Sequence, residues 1–326
     1  MSEVKVNKLS PRSGTTVTLG DSGDTFSIPS GATLSNSGST TFAGNLSVDG
    51  GTIKLDGNYP TGSNNVAMGD NALNSVASDG NSNTVMGNNA GTAITTGDLN
   101  VGIGAGALLD TTTASNNTAV GGIALCANTT GACNVAVGAC ALLNNTTADD
   151  NTAVGMNALC LNTTGCRNTA IGHNSMDVNT TGDFNTALGR SSLSGNTTAD
   201  NNTAVGYHSM LANTTGTENT AVGSGALDSN TTAGCNTSIG HGSMGDNTEG
   251  GNNVAVGRSA LGSNTTGASH VAIGRNSLTL NTTSTGNVAV GAFALDKNTT
   301  GGCNTGLGWQ ALTANTTGTS NTSVGA

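Results

Sequence analysis

Aromatic rings are nearly missing from this chain, which has one Trp, two Tyr and four Phe among 326 residues. A globule of that length ordinarily fills its interior with such rings, so a thick core is excluded. Charge is also scarce, at 9% of residues with a net of −10, and beyond the first dozen positions the basic residues are few and scattered. Nothing here neutralises a run of phosphates, which argues against nucleic acid as a partner. Proline is confined to Pro11, Pro29 and Pro60, which leaves every later backbone N–H free to donate. No apolar run approaches the roughly 20 residues of a membrane-spanning helix. The opening MSEVKVNKLSPR has Lys5, Lys8 and Arg12 but lacks the apolar stretch of a secretory leader, so a cytoplasmic origin without membrane insertion is expected. The seven cysteines show no paired CxxC spacing. Cys126 and Cys160 fall two repeats apart, about 10 Å in a stack of strands and beyond disulfide reach. Reduced cysteines that serve in packing are expected.

What the chain has in quantity is glycine, 50 residues of it, and much of it is periodic. Aligning on the Gly that follows a small apolar pair gives positions 69 and 87, then an unbroken series of 17-residue steps from 104 to 325. The unit reads NTAVGxxALxxNTTGxx and is nearly intact in Asn151 to Arg167. A fixed period of this kind indicates a solenoid. With the Gly as position 0, position −4 is Asn in every unit but one, where it is His270, and −1 is always Val, Ile, Leu or Met. Alternation along a strand puts −3 and −1 on one face and the mostly Ala −2 on the other. The reading predicts −3 and −1 in the core, with the Ala column open to a second chain. Gly at 0 permits a positive φ, and Ala or Ser at +3 with Leu or Met at +4 suggests a second short strand in each coil. Asn128, Asn145, Asn162, Asn179, Asn196, Asn213 and Asn230 recur at +7 before two threonines, a turn composition, and in register they form a structural amide ladder.

The fold class expected is therefore all-β: a parallel β-solenoid or β-roll of about 16 coils over residues 61–326, roughly 75 Å long at ~4.8 Å per coil. The few small apolar groups per coil fall short of the ordering cost of 17 residues, so a further buried face, in a homotrimeric rod, is expected. Residues 1–60, with alternating runs such as TVTL, TFSI and TIKL between Gly-rich turns, are expected to be a small β-rich base.

The units NVAVG (Asn134 to Gly138) and NTAIG (Asn168 to Gly172) resemble the head repeats of trimeric autotransporter adhesins, a likeness that covers about 80% of the chain. It implies a parallel β-roll with three chains to a rod, although the family unit is nearer 14 residues. The segment SPRSGTTVTLGDSGDTFSIPSGATL (Ser10 to Leu34) resembles instead the start of marine tailed-phage fibre proteins. It implies a virion protein, assembled in the host cytoplasm, whose N-terminus docks on a tail, neck or baseplate protein. The function expected is a phage tail fibre or appendage that acts as a rigid shaft for host attachment. The alternative is a bacterial cell-surface adhesin, and an ice-binding solenoid is an outsider because paired threonines adjacent in sequence point opposite ways.

No catalytic residue, cofactor or metal is assigned. GIGAG (Gly102 to Gly106) imitates part of a phosphate loop with no helix pattern after it. His173, His208, His241 and His270 show no ligand-pair spacing. Asp149, Asp150, Asp183, Asp200 and Glu218 form a loop stripe and not a paired-carboxylate cleft. One column varies in chemistry, position +1, with His173, Arg190, Tyr207, His241, Arg258, Arg275 and Trp309. It is read as an inter-chain seam, or else as an exposed ridge that meets a host surface glycan or protein.

Overall fold

The computed structural model describes residues 62–325. The base region, 1–60, its resemblance to fibre proteins and all three prolines lie outside the described residues.

Sixteen three-residue strands, from β1 (Val66–Met68) to β16 (Thr322–Val324), form one parallel sheet in which each strand pairs with its sequence neighbours. The described residues contain no helix. Each coil contributes one strand, and the register matches like with like: Thr152 pairs with Thr169, Ala153 with Ala170 and Val154 with Ile171. The 17-residue period produces this register, because equal coils bring each column above itself. The chain is an all-β solenoid of about 15 turns.

The repeat Gly bends the chain away from the strand at φ between 118° and 143°. A Cβ there would also collide with the next coil, as at Gly155, where it would lie 2.5 Å from the carbonyl oxygen of Gly172. Both the angle and the contact require glycine.

The segment after the Gly is not a second strand. It is a turn ribbon in which +2 and +4 take left-handed geometry, for example Asn157 (φ 58°), Leu159 (φ 50°), Asn174 (φ 53°) and Met176 (φ 52°). Left-handed geometry costs a non-glycine residue roughly 1–2 kcal/mol. The cost is offset by complete burial of the Leu or Met at +4 and by bonds to both neighbouring coils, such as Leu142 N–H to the Ala158 carbonyl (3.0 Å) and Asn157 N–H to the Ala139 carbonyl (3.0 Å).

The strand faces are the reverse of the sequence expectation. Ala119, Ala136, Ala153, Ala170 and Ala187 at −2 are fully buried, whereas −3 and −1 face outward. The interior is thin: it already holds Leu or Met from +4, Ala or Ser from +3 and the Asn side chains of −4 and +7. Only a methyl group fits from the strand side. The early coils show the volume rule by exception. Val85 occupies an Ala place at −2, and the coil answers with Gly91 at +4, where a Cβ would sit 3.0 Å from Val85 Cγ1 and 3.0 Å from Ile94 Cδ1. The next coil answers with Gly102 at −2. Total volume is conserved across the layer while the identities change.

Candidate functional site: the outward columns

Two amide ladders lock the coils. At +7, Asn145 Nδ2 donates to Asn128 Oδ1 (2.9 Å), and the pattern continues through Asn162, Asn179, Asn196, Asn213 and Asn230 at 2.7–3.1 Å. Each Nδ2 also donates to the carbonyl three residues on, as Asn162 does to Gly165 (2.9 Å). At −4 the side chain instead caps backbone: Asn151 Oδ1 accepts from Asn168 N–H (2.9 Å), and Asn151 Nδ2 donates to the Gly165 carbonyl (2.9 Å). These carboxamides are fully buried and hydrogen-bonded, as buried polar groups must be. They hold register and present nothing to solvent.

The paired threonines divide their work. The first of each pair donates Oγ1 to a carbonyl of the next coil, as Thr163 does to Thr180 (2.9 Å), while the second is exposed, as at Thr164 and Thr181. Three carboxylates of the acidic stripe are likewise structural: Asp149 Oδ1 accepts from Ala132 N–H (2.7 Å), Asp183 Oδ1 from Cys166 N–H (2.6 Å) and Asp200 Oδ1 from Asp183 N–H (2.7 Å). Each carboxylate caps the corner one coil back, a role that sequence spacing alone does not disclose.

The +1 column stands on the surface. Arg190, Tyr207, His241, Arg258, Arg275 and Trp309 are exposed, and His173 is half-buried with its Nδ1 enclosed and unbonded. Stacking brings Arg190 over the Tyr207 ring (5.8 Å to its centroid), and Tyr207 lies 3.8 Å from the His208 ring at 17°. Arg275 covers Phe293 of the neighbouring column (4.7 Å). The column before the −4 Asn carries a parallel arrangement that the sequence reading passed over. There Arg167 sits 3.8 Å from Asp150 and over the ring of Phe184 (5.3 Å). The signal was available, since these residues are also 17 apart. The Arg167–Asp150 pair is too exposed to contribute much stability.

A further outward feature is the strand face itself. Met68, Met86, Ile103, Ile171, Leu188, Val222, Ile239, Ile273 and Val290 at −1 are between 36% and 49% exposed, a continuous aliphatic column flanked by Thr or Val at −3. Single exposed aliphatics are ordinary, but an in-register column along sixteen strands is a contiguous apolar patch.

All seven cysteines are free, four of them half-buried and three exposed, at corners and on the turn ribbon. Partial burial pushes the Cys126 and Cys160 thiols up, which favours their protonated form. Burial likewise raises the Asp228 carboxyl, with Asp246 adding to it. Among the described residues no three His, Cys, Asp or Glu side chains gather to hold a metal ion. GIGAG spans β3 (Val101–Ile103) and the repeat Gly104, where its glycines serve the volume rule and the bend. Comparison with known protein families, characterised proteins and solved structures finds no match.

Proposed function

We propose that this chain is a structural, non-catalytic rod that assembles through its strand face with two further copies and serves as the shaft of a virion fibre or appendage, holding a host-attachment function at a distance. The observation that carries the reading is the uninterrupted aliphatic column at −1. If each coil leaves roughly 60 Å² of that column open, sixteen coils offer about 1,000 Å² per chain, at the level of a stable interface of ~800 Å² per partner. The Ala column that the sequence reading assigned to this contact is inside the solenoid, so the seam moves to −3 and −1 and the partner stays the same: another copy of this chain. An in-register column favours an equally regular partner, and an identical solenoid offers one.

The assignment to a phage tail fibre rests on the resemblance of Ser10 to Leu34 to marine tailed-phage fibre proteins, and docking on a tail, neck or baseplate protein belongs to that region. The exposed +1 column supports a second reading, a cell-surface adhesin whose rod itself meets a glycan or protein. Proteomics and immunogold labelling of purified particles separate the two: the fibre reading expects the chain in virions, and a chain found only on bacterial envelopes overturns it. Native mass spectrometry tests assembly, with a trimer expected for the intact chain and monomer for V137D/V154D/I171D.

A further inference from the structure

The −4 column is Asn in every coil except at His270, and the +10 column of the 17-residue coils is Gly or Ala except at Ser284. The fold brings these two departures together. His270 is fully buried in the ladder, and its Nε2 lies 2.8 Å from the Ser284 carbonyl oxygen. Its Nδ1 accepts from Asn287 N–H (3.2 Å), the bond that an Asn Oδ1 accepts in other coils. Ser284 Oγ completes the substitution, donating to Asn281 Oδ1 and accepting from Asn287 Nδ2 (2.7 Å). Gly267 leaves room for the wider ring, since a Cβ there would lie 2.8 Å from Nε2.

These partners fix one protonation state. Nδ1 must be bare to accept, so Nε2 carries the hydrogen and donates to the carbonyl, and Asn281 Nδ2, itself a donor 3.2 Å from Nε2, makes no hydrogen bond to it in that state. An Asn Oδ1 at the same place accepts at every pH, whereas a proton on Nδ1 sets one N–H against another. It also places a charge where no water reaches. The groups in contact, Asn253, Gly267, Asn281, Ser284 and Asn287, are all neutral. The titratable side chains of the flanking coils, His241, Asp246, Glu249, Arg258, Arg275, Asp296, Lys297 and Cys303, stand on the surface columns, and no bond links any of them to the imidazole.

We propose that His270 is an acid-sensitive joint in the solenoid, at which protonation opens the coils from about residue 264 to 301 before the other described coils. Burial, the leading cause, holds the imidazole below its ordinary value of 6.5, and the bond from Nε2 to the Ser284 carbonyl only partly opposes it. The sign follows from that direction: the open state takes up a proton below about pH 6.5 and the closed state does not. Opening therefore becomes up to tenfold more favourable per pH unit, until the folded-state pKa is reached. At pH 7 and above the joint is as firm as its neighbours.

Hydrogen exchange on the full chain, at pH 7.5 and pH 5.0 and normalised for intrinsic rates, tests this. Expected is a loss of protection of about tenfold or more in 264–301 relative to 128–179, abolished in H270N, which restores the residue used by the other coils. Uniform loss along the rod, or the same local loss in H270N, overturns the proposal. An NMR titration that gives His270 a pKa at or above 6.5 also overturns it.

Discussion

Replacing Asn168 by Ala is the sharpest perturbation of the −4 ladder. Asn168 Oδ1 accepts from Asn185 N–H (2.9 Å) and from Asn185 Nδ2 (3.2 Å), and Asn168 Nδ2 donates to the Gly182 carbonyl (2.8 Å). The carbonyl keeps a second donor, Asn179 Nδ2 (3.1 Å), and Asn185 Nδ2 keeps the Ala199 carbonyl (2.8 Å). What loses its partner is the Asn185 backbone N–H, buried between coils. An orphaned buried donor costs about 1–3 kcal/mol, and the lost side-chain bond adds about 1. The expected destabilisation is about 3 kcal/mol, concentrated at one coil junction. In a stack where each coil touches only its neighbours, such a defect divides the array. Guanidinium unfolding followed by hydrogen exchange should then show the Asn185 amide exchanging early and the transition broadening or splitting. Thr181→Ala, at an exposed corner position, is the control and should fall within about 0.5 kcal/mol of the parent. If Asn168→Ala behaves like Thr181→Ala, the ladder does not hold the register and the reasoning fails.

Other perturbations separate the inner from the outer columns. Ala153→Leu forces a large side chain into a filled layer and should cost about 1–3 kcal/mol or expel the coil, whereas Val154→Ala, one residue away on the outward face, should leave a dissociated chain almost unchanged in thermal melts. Gly155→Ala combines φ 131° with a collision against the Gly172 carbonyl, and should lower the melting point more than any surface variant in the same coil. Removing a cation from the exposed +1 column, by R258S, should change unfolding free energy by less than about 0.5 kcal/mol. A larger loss would mean that the column is a seam between chains and not a free ridge.

The period, the parallel stacking and the coil number were legible because the repeat Gly never leaves register after position 87. The inside and outside of the strand were not. Alternation divides −3 and −1 from −2 but does not say which set is buried, and hydrophobicity favoured the larger side chains. The deciding quantity was volume: Leu at +4 and two carboxamide columns leave space for a methyl only, and a nearly invariant Ala beside freely exchanging Val, Ile, Leu and Met was the sign of it. The second strand was misjudged for a related reason. Leu and Met are poor candidates for positive φ, and only the bonds to both neighbouring coils make that geometry tolerable. The +1 column was found by its chemical variety, but the pairing of Arg167 with Phe184 required the corner geometry that stacks them.

The most direct measurement of the central claim is a cryo-electron microscopy map of the purified rod at a resolution that separates strands. The account predicts three solenoids around one axis, an axial repeat of about 4.8 Å per coil, the −1 side chains facing the axis and the −2 alanines enclosed within each chain. A lone solenoid with its strand face bare, or a seam formed by the −2 alanines, would contradict it.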